Sequence, residues 1–116
     1  MQSFVKFINH ASILISNGKK GILTDPWYSG SVFDDGWMLL YENEKKEIEK
    51  ILKDVNFIWI SHEHPDHFSI KFINEYQEII KEKNIEFIFQ NTKDKRVVSF
   101  LKSKKFKFIE LNDNKP

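Results

Sequence analysis

Three of the four histidines in this 116-residue chain fall within six positions, in the segment Ser-His-Glu-His-Pro-Asp-His at 61–67. The proline in this segment disfavours helix at the residue before it, which predicts an extended turn. Side chains two apart in extended backbone share a side, so His62 and His64 can face one metal ion. Asp66 and His67 follow around the turn and can face a second ion. Two metals about 3.5–4 Å apart form a hydrolytic site that activates water.

A short apolar run, Val-Asn-Phe-Ile-Trp-Ile at 55–60, comes directly before the histidines. Such a run predicts a strand that is buried on both faces. Ligands at the C-terminal end of a buried strand lie where open α/β sheets usually carry their active sites. The alternative is a polar surface turn that happens to contain histidines. The order of three histidines and an aspartate after a buried strand favours the metal site.

The rest of the chain supplies the elements that must position this segment. Apolar alternation and helical spacing predict strands at 3–8, 11–16, 21–25, 55–60, 85–90 and 106–111, and helices at 42–52, 70–80 and 92–103. Asn17-Gly18 indicates a hairpin turn, and Ser69 is placed to cap the second helix. An antiparallel meander followed by strand–helix alternation predicts an α/β domain with a mixed, helix-covered sheet.

The composition limits which metal ligands and which binding partners the protein can have. The chain has no cysteine, so any metal must be held by histidine and carboxylate. The net charge of +1 does not point to nucleic acid, and the basic segment 93–107 is typical of a solvated helix face. The sequence shows neither a signal peptide nor an apolar run near the roughly 20 residues that span a bilayer. We therefore expect a cytoplasmic protein with no membrane partner.

The motif His-Glu-His-Pro-Asp-His matches the His-x-His-x-Asp-His signature of the metallo-β-lactamase superfamily, whose fold is an αββα sandwich. The segments His-Ala-Ser-Ile-Leu-Ile at 10–15, Ile-Leu-Thr-Asp-Pro-Trp-Tyr-Ser-Gly at 22–30 and Gly-Trp-Met-Leu-Leu at 36–40 resemble one branch of it. That branch contains the L-ascorbate-6-phosphate lactonases and the CMP-N-acetylneuraminate hydroxylases, and the hydroxylase-like members are the more similar. The resemblance runs from about Ser3 to Phe89 and implies the N-terminal αβ half of the sandwich.

The resemblance also implies roles for the site residues. His62 and His64 would ligate a first divalent ion, and Asp66 and His67 a second. Asp66 would in addition be catalytic, because it would touch the nucleophilic water. Asp25 matches an aspartate at a strand end that supports the metal loop by hydrogen bonds; by spacing alone it would be a simple Asp-Pro turn. Zinc is the default metal, and manganese or iron also suits these donors.

Three further residues are candidates for contact with a small-molecule substrate. The branch has a histidine at the position of His10, which either lines the pocket or is a structural turn residue. Trp27 and Trp37 lie in an aromatic loop at 26–41, a length that is uncommon for a structureless loop and often functional. They either form a lid over the metals or pack on the sheet edge as core.

The superfamily site needs three more ligands after the signature, two of them histidines, but no histidine follows His67. We therefore expect residues 1–116 to be one partial domain, truncated at the C-terminus and inactive by itself, with a sheet face exposed for self-association. The leading function is a metal-dependent hydrolase in which activated water attacks an ester, lactone or phosphoester. The alternatives are a di-iron oxygenase of the sugar-nucleotide hydroxylase type and a non-catalytic half-domain that acts as an assembly module.

Overall fold

The structure is a computed structural model that describes residues 2–112. Each predicted strand and helix is present. The elements are β1 (Phe4–Asn9), β2 (Ser12–Ser16), β3 (Gly21–Thr24), α1 (Lys45–Leu52), β4 (Phe57–Ile60), α2 (Ile70–Glu82), β5 (Glu86–Gln90), α3 (Arg96–Ser103) and β6 (Phe108–Leu111). None of the helices within 2–112 combines the length and apolarity that crossing a bilayer takes.

The six strands form one sheet in the order β1-β2-β3-β4-β5-β6. The first two pairings are antiparallel and the remaining three are parallel. The mixed sheet of the α/β class is therefore confirmed. Because β1, β3 and β4 all run in the same direction, their C-terminal ends lie at the same edge of the sheet. Residues that follow these three strands are thereby brought close together.

One face of the sheet packs on the helices and forms the core. On this face Leu23, Ile58, Ile60, Phe87 and Phe89 are buried against apolar side chains of all three helices. Helices α1 and α2 contribute residues at helical spacing, as their amphipathic patterns predict. Ser69 caps α2 as predicted, since its hydroxyl accepts a hydrogen bond from the N–H of Phe72 at 3.1 Å.

The opposite face of the sheet has no helix on it in the described part of the chain. The prediction that the strand at 55–60 is buried on both faces is wrong, because Phe57 and Trp59 are only half-buried while Ile58 and Ile60 are fully buried. The paired strands continue this half-exposed surface. Its apolar members are Val5, Phe7, Ile13, Ile15, Ile22, Phe57, Trp59, Ile88, Ile109 and Leu111.

Two helices begin later than their periodicity predicts. Helix α1 begins at Lys45 and α3 at Arg96, three and four residues after the predicted starts. Before α3, the Asp94 carboxylate accepts hydrogen bonds from the backbone N–H and the side chain of Arg96 and so holds a turn. Side chains that bond nearby backbone in this way compete with helix.

Candidate metal centre

Asp25 anchors the site from the end of β3. Its N–H donates to the carbonyl of Trp59 at 2.8 Å, which extends the pairing of β3 with β4 by one residue. Its backbone lies in the left-handed region, with φ of 37°, where aspartate is among the more tolerated residues. The buried carboxylate accepts hydrogen bonds from the N–H and hydroxyl of Ser61, both at 2.7 Å, and from Nδ1 of His67 at 2.9 Å.

Ser61 connects Asp25 to the first histidine, and its place directly before the motif is the one sequence signal that points to it. Its one hydroxyl proton goes to Asp25, so the 2.8 Å contact with Nδ1 of His62 requires that His62 donate. A carboxylate only accepts, so Nδ1 of His67 also carries a proton. Both histidines therefore keep Nε2 free for a metal, the usual arrangement when a carboxylate or another outer partner orients a ligating histidine.

The segment 61–67 forms a turn, as predicted. The carbonyl of His64 accepts hydrogen bonds from the N–H groups of His67 at 2.9 Å and Phe68 at 2.7 Å, which closes it. The ring centroid of His62 lies 4.6 Å from that of His64 and 4.1 Å from that of His67. The His64 side chain is 58% exposed and its ring lies edge-on to Phe33 at 6.2 Å.

Asp66 is buried at the centre of the site. Its Oδ2 lies 3.0 Å from Nε2 of His10 and 3.2 Å from Nε2 of His67, whereas its Oδ1 is buried without a hydrogen-bond partner among the described residues. Burial is the strongest influence on its pKa and acts to raise it. The hydrogen bond from His10 and the charges of His67 and His10 together outweigh burial, so the pKa of Asp66 lies below its ordinary value.

The donor set fits a divalent cation. One ligand atom each from His10, Asp66 and His67 lie within 4.8 Å of one another. The unpartnered Oδ1 of Asp66 adds a buried acceptor that a cation would satisfy. His62 and His64 lie beside this cluster. Among residues 2–112, no third ligating side chain joins them in a group whose ligand atoms all lie within 4.8 Å of one another. The ligand roles inferred for these residues remain predictions.

The three candidates for substrate contact lie together but differ in exposure. The ring of His10 is edge-on to Trp27 at 5.0 Å and to Trp37 at 6.3 Å. Trp27 is 2% exposed and its Nε1–H donates to the carbonyl of Gly30 at 3.1 Å, as in a core residue. Trp37 is 53% exposed and is available to a ligand. A cavity of about 440 Å³ lies between these three side chains and the segment 38–41.

A protein-family model described as a β-lactamase superfamily domain matches residues 4–112. The chain belongs to this superfamily. The match confirms the resemblance inferred from the histidine motif, and the α/β fold class is confirmed with it. A superfamily domain accounts for the meander, the strand–helix alternation and the motif after β4 together.

Among characterised proteins, the chain is similar to cytidine monophosphate-N-acetylneuraminic acid hydroxylases. It is 35% identical over 63 residues to the protein of Danio rerio, a match of 54% of this chain and 10% of that protein. With the protein of Mus musculus it shares 32% over 74 residues, 64% of this chain and 13% of that protein. The chain therefore spans about a tenth of the length of the curated relatives it matches.

A solved structure from Veillonella parvula DSM 2008, described as "a possible metal-dependent hydrolase", has a similar fold. The TM-score is 0.61 at 18% sequence identity. The match covers 86% of this chain and 39% of that chain. This similarity supports the fold.

Proposed function

We propose that this chain carries the first half of the active site of a metal-dependent hydrolase that acts on an ester, lactone or phosphoester. The observation that supports this most directly is the buried Asp66, with one oxygen shared by two histidines and the other without a partner. An isolated buried carboxylate is costly. Two imidazoles and a divalent ion would offset that cost and use both oxygens.

Each residue of the site would have a distinct role in holding metal or water. Asp25 and Ser61 fix the protonation of His62 and His67, so that a lone pair on each Nε2 points away from the anchor. Asp66 and His67 would hold one ion, and His62 and His64 would contribute to a second. Asp66 would also orient the attacking water. When bound, the ions supply acidification of that water and polarisation of the substrate oxygen.

Zinc, manganese and iron all suit this set of donors, because it contains imidazole and carboxylate but no thiolate. A catalytic zinc ordinarily has three protein ligands and an open position. We propose that further ligands come from polypeptide outside residues 1–116. The small share of each relative that the chain spans supports this, as does the exposed apolar sheet face.

The similarity to sugar-nucleotide hydroxylases supports a second candidate, an oxygenase that uses two iron ions in the same site. These hydroxylases are 32–35% identical to the chain over the matched part. The two candidates differ in the metal they need and in their second substrate. The hydrolase needs only water, whereas the oxygenase needs dioxygen and a reductant.

The test uses the longest native polypeptide that contains this chain, stripped of metal and reloaded separately with zinc, manganese or iron. Chromogenic esters, lactones and phosphodiesters report hydrolysis, and an oxygen electrode with a chemical reductant reports oxygenase turnover. Metal-dependent hydrolysis that is lost in Asp66→Asn supports the hydrolase. Oxygen consumption only with iron would replace it by the second candidate. Unchanged metal content in both His62→Asn and Asp66→Asn would overturn the site itself.

We also propose that residues 1–116, when isolated, associate through the exposed face of the sheet. The half-exposed apolar side chains run across all six strands, so the patch is continuous. Contiguous apolar surface of this kind commonly marks an interface. Under the proposal that further polypeptide supplies the missing ligands, that polypeptide would cover the same surface.

A further inference from the structure

His10 lies in the two-residue connection between β1 and β2, at the edge of the sheet where β3 and β4 also end. Although it is 56 residues from Asp66 in sequence, its Nε2 lies 3.0 Å from the Asp66 carboxylate. His67 approaches the same oxygen at 3.2 Å. Three donors thus converge on one point from two distant segments of the chain.

We propose that His10 is a protein ligand of the divalent ion held by Asp66 and His67. The inference rests on the proposed metal-dependent function and adds a ligand from the first turn of the chain to it. It completes three protein ligands within the residues that the structure describes, before any further polypeptide contributes.

The spacing of the donors is that of a coordination shell. Donor atoms about 2.0–2.1 Å from a tetrahedral ion are about 3.3 Å apart. The two contacts to Oδ2 of Asp66, at 3.0 Å and 3.2 Å, are close to that value. The three ligand atoms all lie within 4.8 Å of one another.

The hydrogen bond from His67 to Asp25 directs the other ring nitrogen of His67 towards Asp66. His67 gives its Nδ1 proton to Asp25, so in its neutral form the Nε2 lone pair faces the Asp66 carboxylate at 3.2 Å. The contact from His10 has hydrogen-bond geometry and the one from His67 has not. A divalent ion between these two atoms would be coordinated by both.

A second, independent observation points to a ligand at Asp66. Its side chain is 7% exposed, and Oδ1 has no partner among residues 2–112 even though Oδ2 has two close neighbours. Buried carboxylate oxygens without partners are rare in folded proteins. An ion beside Oδ2 lies within reach of Oδ1 and satisfies both.

The fold holds the His10 ring in place at a conformational cost. Its φ is 48°, in the left-handed region that costs a non-glycine residue roughly 1–2 kcal/mol. The preceding Asn9 fixes the turn, since its amide donates to the carbonyl of Tyr41 and to Asn43 at 2.7 Å and 2.8 Å. The buried Trp27 packs edge-on against the ring. Strained backbone that its surroundings over-determine is typical of binding sites.

The test is metal binding by the chain, without any activity assay. Competition with a chromophoric chelator gives the zinc affinity, and the visible absorption of bound cobalt reports the number of ligands. His10→Asn is the main variant, because asparagine tolerates the left-handed backbone but is too short to reach the ion. His10→Gly repeats the test with a residue that favours this backbone, and thermal unfolding checks that each variant folds.

We expect His10→Asn and His10→Gly to weaken zinc binding at the Asp66 site by about tenfold or more and to lower the cobalt absorption. Asp34→Asn is the matched control, an exposed residue outside the cluster whose φ of 52° lies in the same left-handed region as His10, and it should leave this site within about twofold of wild type. Wild-type affinity and spectrum in folded His10 variants, while Asp66→Asn abolishes binding, would overturn the inference and leave the proposed function standing. Unchanged binding in Asp66→Asn would overturn both.

Discussion

Replacing Asp25 with asparagine keeps the size of the side chain and removes the charge that organises the histidine turn. The buried carboxylate accepts from the N–H and hydroxyl of Ser61 and from Nδ1 of His67, at 2.7–2.9 Å. Asparagine presents an NH2 group in place of one oxygen, so in either orientation of its amide at least one donor of Ser61 or His67 loses its acceptor. Hydrogen bonds to charged groups contribute about 1.5–3 kcal/mol each.

The serine hydroxyl can rotate to another partner, whereas the half-buried imidazole cannot easily do so. We therefore expect Asp25→Asn to lower the free energy of unfolding by about 2–4 kcal/mol, one to two such bonds. Urea unfolding followed by tryptophan fluorescence, to which the buried Trp27 contributes, measures this change. The reorientation of His62 and His67 should also weaken zinc binding by about 10- to 100-fold, the range found when outer partners of ligands are removed.

Asp34→Asn is the matched control, since Asp34 is exposed and has φ of 52°, in the same left-handed region as Asp25 at 37°. It makes the same chemical change with the same backbone preference. If Asp25→Asn falls within about 0.5 kcal/mol of this control and binds zinc as wild type does, the anchoring role of Asp25 is refuted. That threshold is the usual spread of surface substitutions.

Three further results are expected. Tyr28→Phe should cost about 1–3 kcal/mol in urea unfolding, because it strands the fully buried hydroxyl of Ser12, now 2.6 Å from the tyrosine oxygen. The hydrogen bonds of Arg96 lower the pKa of Asp94 from the ordinary value of 3.8 to about 2. The ion pair is therefore complete above pH 3.8 and is lost as the pH falls towards 2. Carboxyl NMR titration should show this midpoint, and Arg96→Gln should raise it. Ile15→Lys, on the exposed sheet face, should shift residues 1–116 towards monomer in light scattering.

Each of these three predictions has a control variant or a result that would contradict it. Tyr41→Phe removes an exposed hydroxyl and should change stability by less than about 0.5 kcal/mol. A midpoint for Asp94 that stays near 2 in Arg96→Gln would show that the arginine is not the cause. Ile70→Lys adds the same charge at an exposed position on α2 and should leave association unchanged. Equal effects of the Ile15 and Ile70 substitutions would contradict association through the sheet.

The sequence alone determined the order and type of the elements, the family and the position of the histidine motif. These follow from local patterns: alternation in strands, helical spacing in α1 and α2, the Ser69 cap, and a proline that keeps the motif extended. The motif is six residues long and can be recognised without knowing which other residues contact it. The starts of α1 and α3 lie later than apolar spacing predicts, and before α3 the reason is the turn that Asp94 holds, which apolar spacing does not reveal.

Only the tertiary structure decided which residues meet at the motif. His10 and Asp66 are 56 residues apart, and Asp25 and His67 are 42 apart, so no local pattern links them. They meet because β1, β3 and β4 run the same way and end at one edge of the sheet. The structure likewise showed that one face of β4 is open, since an apolar strand has the same sequence whether its second face is covered by its own helices or by other polypeptide.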